Sequence, residues 1–311
     1  MAVPALPRPI VVMEAQRTMR LHHMLFHLSR NGWKSFPGQV RAAYRRLGWA
    51  PPRPALDAAR RPILTNNSGE DFLYMHHQMI REVNRRLKSL ADPTYPTVAG
   101  WPQFPAPNDP DYPVPPAYAT GDPDSDSSLQ QVKSVRFYTQ TLLPQAQQFQ
   151  DPGYLKTVTL GELGAQIEFT VHNWAHMRWS AAPTPSRRPD PSPRRPTAVA
   201  KRWDAPKYDW LGDFYSSHVN SIFWKLHGWV DERIADWKRA NGISGAYRWK
   251  GTWSGKMPMP GGHQAMHEHL ARAAEDRPTR ELSAHVEAAE EALSAGAPFA
   301  QLASPFLLVE L

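Results

Sequence analysis

Apolar positions recur with a period near 3.6 through most of the chain, and proline-rich stretches interrupt them. The pattern predicts helices over about 12–31, 38–47, 70–89, 129–149, 160–179, 215–240 and 279–294. Alternation that fits a strand is scarce; KTVTL at 156–160 and YRWKGTW at 247–253 are the two candidates. Ser68, followed by Gly69, Glu70 and Asp71, reads as the cap of a helix with an acidic first turn. Asn241–Gly242 reads as the stop of the helix that begins near Phe214. Residues 92–128 and 181–196 are dense in proline and cannot continue a helix. The expected fold is mainly α, a four-helix bundle with long Pro-rich loops and little strand, formed as a single domain over residues 1–311.

Imidazoles break this apolar pattern at regular places. LHHMLFH puts His23 and His27 four apart, one turn along the same helix face. FLYMHHQM puts His76 beside the apolar face of Phe72, Met75, Met79 and Val83. HNWAH repeats the four-residue spacing with His172 and His176, and SIFWKLHGWVD sets His227 among aromatic and aliphatic neighbours. A single pair of this kind is more often solvated or bonded to backbone than bound to metal. The order of the four groups changes that weighing: a pair, a single, a pair, a single. Two sets of three imidazoles from four helices are what two three-coordinate ions in a bundle core need, so the bundle is expected to enclose a dinuclear metal site.

Composition narrows the metal. With no cysteine in 311 residues, disulfides and thiolate sites are excluded, and His, Asp or Glu must hold any ion. A carboxylate-bridged di-iron site fits poorly, because Glu-x-x-His is absent from these helices. Imidazoles without carboxylates suit copper, zinc and nickel, and two adjacent all-imidazole sites suit copper in particular. The formal charge of +7 invites a nucleic-acid reading, but the basic excess lies in SRRPDPSPRRP at 186–196 and on helix edges such as RAAYRR at 41–46. Neither pairs with a recognised nucleic-acid motif, so no nucleic-acid partner is expected. The start of the chain lacks a secretory pattern and no segment has the length of a membrane span; no membrane partner and a cytoplasmic location are expected.

The four segments resemble the type 3 copper proteins, the family of tyrosinases, catechol oxidases and hemocyanins. LHHMLFH and FLYMHHQM resemble the two parts of the copper A region of arthropod hemocyanins and phenoloxidases. HNWAH and SIFWKLHGWVD resemble the copper B region, in the family's order. The resemblance covers about 20–90 and 160–235, with 241–311 as a helical or tail extension. It implies two copper ions, His23, His27 and His76 binding one, and His172, His176 and His227 the other. It further implies an oxidase that uses dioxygen to hydroxylate monophenols or to oxidise o-diphenols or o-aminophenols. Glu168 and Asn173 match the places where monophenol-hydroxylating relatives hold a water that takes the phenol proton. The plainer roles are a buried ion pair for Glu168 and a hydrogen bond orienting His172 for Asn173. Two departures stand out: Asn220–Ser221 replaces the family's Asp-Pro, and the cysteine that some relatives link to a copper ligand is missing.

Two other classes remain open at this stage, an oxygen-binding protein without turnover and a zinc hydrolase using one His triad. Among the remaining histidines, His218 is expected at the entrance to the site, and Phe223, one turn before His227, is expected to stack on it. His22 and His77 point about 100° away from the ligands around their helices and are expected in supporting or surface positions. His263 and His267 make a further four-residue pair, read as an exposed helix start. The apolar tail at 297–311 is a candidate closing strand, dimer contact or lid.

Overall fold

The structure is a computed structural model, and it describes residues 5–182 and 201–255. His263, His267, the helix expected at 279–294, the arginine run at 186–196 and the apolar tail lie outside the described residues.

The fold is mainly helical. Its α-helices are α1 (Arg8–Glu14), α2 (Arg17–Gly32), α3 (Gly38–Arg46), α4 (Ser68–Leu90), α5 (Pro123–Lys133), α6 (Val135–Phe137), α7 (Leu143–Gln148), α8 (Pro152–Leu155), α9 (Leu160–Ile167), α10 (Asn173–Trp179) and α11 (Ser221–Ala240). Neither strand candidate forms; among the described residues the β-pairing is one isolated bridge between Leu56 and Pro62. The 247–253 segment instead spends its backbone donors on side chains: Lys250 and Gly251 donate to Glu70, and Trp253 donates to Asp71. No helix among the described residues is long and apolar enough to cross a membrane.

Three expected helices change shape, each for a local reason. The first divides at Ala15–Gln16, because the Gln16 backbone is extended. The helix expected at 129–149 starts earlier, at Asp122, whose carboxylate caps Ser125, and it breaks at the extended Ser134. The last begins at Ser221 rather than near 215, because the Asn220 side chain accepts from the Ile222 amide and serves as the N-cap. Thus the residue that departs from the family pattern is a helix cap. Ser68 is not a cap: Asn67 precedes the helix in a left-handed conformation with φ 61°, and the Asn66 side chain accepts from the Ser68 amide. The stop at Asn241–Gly242 is as expected, with Gly242 at φ 67°.

Close packing of α4 on α9 brings the two halves of the chain together. A Cβ on Gly69 would lie 2.1 Å from the Ala165 amide nitrogen, and one on Gly164 would lie 2.3 Å from the Gly69 carbonyl oxygen. Only glycine permits that approach. The long loop after α4 is anchored by aromatics: Trp101 packs on Phe104, Tyr112 and Trp179, and Phe104 packs on Trp229. One apolar cluster runs from Leu6 to Trp237 and joins all these elements.

Candidate metal centre

The six histidines come from four places: His23 and His27 from α2, His76 from α4, His172 and His176 from the α9–α10 run, and His227 from α11. Between α9 and α10 the helix widens into one π-helical turn, Glu168–His172. Such turns are common at functional sites because the extra residue re-aims side chains. All six imidazoles are at most 2 % exposed.

Carbonyl oxygens set the orientation of five rings. Nδ1 of His23 donates to Phe214, that of His76 to Phe72, that of His172 to Glu168, that of His176 to Leu211 and that of His227 to Phe223, at 2.7–3.2 Å. A carbonyl oxygen only accepts, so in each neutral ring the proton is on Nδ1 and the lone pair is on Nε2. Asn173 Oδ1 lies 3.1 Å from His172 Nδ1 and supports the same tautomer. His27 is the exception, with Nδ1 3.8 Å from the Glu168 carboxylate.

The rings converge. One nitrogen each from His23, His27 and His76 lie within 4.8 Å of one another, and the same holds for His76, His172 and His227. His76 therefore belongs to both groups, its ring stacked on His227 at 4.5 Å. His176, placed by the sequence with His172 and His227, packs edge-to-face against both, at 4.6 and 5.3 Å. The Nε2 atoms of His23, His27 and His76 are buried without a hydrogen-bond partner. Nε2 of His172 and Nε2 of His227 face each other at 3.1 Å. With both protons held at Nδ1, that contact opposes two lone pairs, and a cation between or beside them relieves it.

Burial keeps these rings neutral. It lowers His23 to about 3 and His172 to about 4, with backbone carbonyls opposing, and takes His27, His76, His176 and His227 well below the ordinary imidazole value. Neutral imidazoles with inward lone pairs are the form that ligates a metal. The donor set fits a borderline or soft ion such as copper or zinc, and not a hard ion that takes oxygen ligands.

Other expected residues fall into defined places. Phe223 is fully buried and lies on the His227 ring, with centroids 3.6 Å apart and planes 19° from parallel. His218 does not stand at an entrance. It is 0 % exposed, its Nε2 donates to the Glu14 carbonyl at 3.1 Å, and its ring lies 4.9 Å from that of His23. The short turn at Ser217–Val219 folds it under α1, so a residue nine positions before His227 faces inward. His22 reaches the Ser254 carbonyl at 2.7 Å, and the half-buried His77 pairs with Asp231 at 2.7 Å.

Glu168 is buried, and Arg30 grips both of its oxygens, at 2.6 and 2.9 Å. Burial raises the affinity of this carboxyl for a proton, and the Arg30 guanidinium opposes that effect. Sequence reasoning did not find Arg30, although its position three residues after His27 puts it on the same side of α2. It also did not find Arg20, which donates to the carbonyls of Ala15, Ala205, Tyr208 and Tyr215. Arg20 thereby brackets the loop whose Leu211 and Phe214 carbonyls orient His176 and His23. No sequence signal marks a carbonyl acceptor, because every residue has one.

No protein-family model matches the chain, and no curated protein matches it.

Proposed function

We propose that this chain holds two copper ions in the histidine cluster and uses dioxygen to oxidise small phenols, o-diphenols or o-aminophenols. The observation that carries this reading is the cluster itself: six buried neutral imidazoles, five with Nδ1 committed to carbonyls, and two Nε2 atoms opposed at 3.1 Å. His23, His27 and His76 hold one ion, and His172, His176 and His227 the other. His76 lies between the groups, so the two ions are neighbours rather than separate sites. Copper there supplies the electron transfer between a phenolic ring and dioxygen.

The protein's own part is preorganisation. The carbonyls of Phe72, Phe214, Leu211, Phe223 and Glu168 fix which nitrogen is free to bind before any ion arrives. Phe214, stacked on His27 at 4.5 Å, and Phe223, stacked on His227, keep water from two ring faces. Copper is favoured over zinc because a single-zinc hydrolase needs one triad and leaves the other three histidines without a purpose.

The test is metal analysis of copper-loaded protein, followed by its near-ultraviolet spectrum with hydrogen peroxide and turnover of a catechol. Two coppers per chain, an intense new band and quinone formation are expected. The band without quinone formation would favour oxygen binding alone. One metal per chain and no band would point to the hydrolase class.

A further inference from the structure

Glu168 links the two metal groups through two different atoms. Its carbonyl oxygen accepts from His172 Nδ1 at 3.2 Å, while its carboxylate stands 3.8 Å from His27 Nδ1. Arg30, 0 % exposed, holds that carboxylate with two parallel bonds and donates a third to the Ser68 carbonyl at 2.7 Å. Its guanidinium also lies 4.8 Å from the centre of the Phe26 ring. Both carboxylate oxygens are therefore engaged by a buried cation that is itself tied to the start of α4. The bidentate fork leaves the carboxylate little freedom to turn toward a substrate.

His27 is the one histidine of the six whose Nδ1 faces a carboxylate instead of a carbonyl. At 3.8 Å the carboxylate is beyond hydrogen-bond distance of Nδ1, so it acts on the ring through its charge and by limiting the room in which the ring can turn. Building on the metal reading above, we propose that Glu168 is the positioning residue of His27 and that Arg30 holds it in that role. In this arrangement Glu168 strengthens the site formed by His23, His27 and His76, and it is not the acceptor of the substrate proton. The Arg30–Glu168 pair also ties α2 to the His172 turn, since each residue sits about one helical turn from a ligand in its own segment.

The experiment is a stepwise copper(II) titration of the full chain against a competing chelator, with helix content followed by circular dichroism. Wild type, Glu168→Gln and the neutral pair Arg30→Gln/Glu168→Gln are compared, each also with His172→Ala. In the His172→Ala background only the His23–His27–His76 group keeps all its ligands. A loss of about 10- to 100-fold in copper affinity there, with helix content retained, is the expected result for both Glu168 variants. The neutral pair keeps a hydrogen-bonded partner for residue 168, so it reports on the lost carboxylate even where the single variant folds poorly.

Unchanged affinity in that background, with helix content retained, overturns the proposal. A wild-type chain that binds no copper overturns the metal reading itself, and the two failures are thus distinct.

Discussion

Phe223 acts on His227 twice. Its ring lies 3.6 Å from the imidazole centre, and its carbonyl oxygen accepts from Nδ1 of the same imidazole at 2.8 Å. The i to i+4 spacing on α11 makes both contacts available to one pair of residues. Phe223→Leu separates them, because it removes the ring and keeps the carbonyl. We expect copper still to bind, with stability lower by roughly 1–2 kcal/mol from the lost packing. Urea unfolding and metal analysis of the same preparation check this. Loss of metal would mean that the ring, and not the carbonyl, holds His227 in place.

His172→Ala removes one side of the 3.1 Å contact with His227. The expected outcome is a drop from two coppers per chain to one, with no oxidation of catechol. Mass spectrometry under non-denaturing conditions would count the ions directly, and two retained ions would sink the ligand assignment.

Arg20→Met tests whether the loop carbonyls matter to the site. The substitution keeps much of the apolar stem but strips the donors from four carbonyl oxygens. A buried acceptor left unpaired costs about 1–3 kcal/mol, so a destabilisation of roughly 3–5 kcal/mol is expected. Copper affinity should fall as well, since the Leu211 and Phe214 carbonyls move with this loop. Chelator competition on protein kept well below its melting temperature would separate the two effects.

Glu14 predicts a pH dependence that does not involve the metal. It is 1 % exposed, and burial, reinforced by Glu82, pushes its carboxyl up to about 8, with Arg20 opposing. Between the ordinary carboxylate value and about 8 the folded chain therefore binds more protons at this residue than the unfolded chain does. Stability from this group is present at acid pH and is lost as pH rises through that window. Glu14→Gln should remove the loss, so the stability gain of the variant over wild type grows from pH 5 to pH 8.5. Chemical denaturation at both ends measures it. A constant difference between the two proteins would show that Glu14 ionises as an ordinary carboxylate.

Much of this molecule was legible along the chain. The helical class, the sites of the four histidine groups, the stop at Asn241–Gly242 and the inward face of α2 all follow from local periodicity. Side chains one turn apart share a face whatever the helix packs against. Local signals failed where partners lie far apart in sequence. YRWKGTW alternates like a strand, yet Glu70 and Asp71, about 180 residues away, take its amides. His218 looked like an entrance residue until the Glu14 carbonyl, 204 positions earlier, drew it inward. The Phe214 and Leu211 carbonyls that orient His23 and His176, the sharing of His76 between both groups and the grip of Arg30 on Glu168 belong to the same class. His76, His172 and His227 find their acceptor oxygens four residues back in their own helical runs, whereas His23 and His176 depend on oxygens brought near by packing. Here that packing is the loop of Leu211 and Phe214, which Arg20 ties to α2 through the carbonyls of Ala205, Tyr208 and Tyr215.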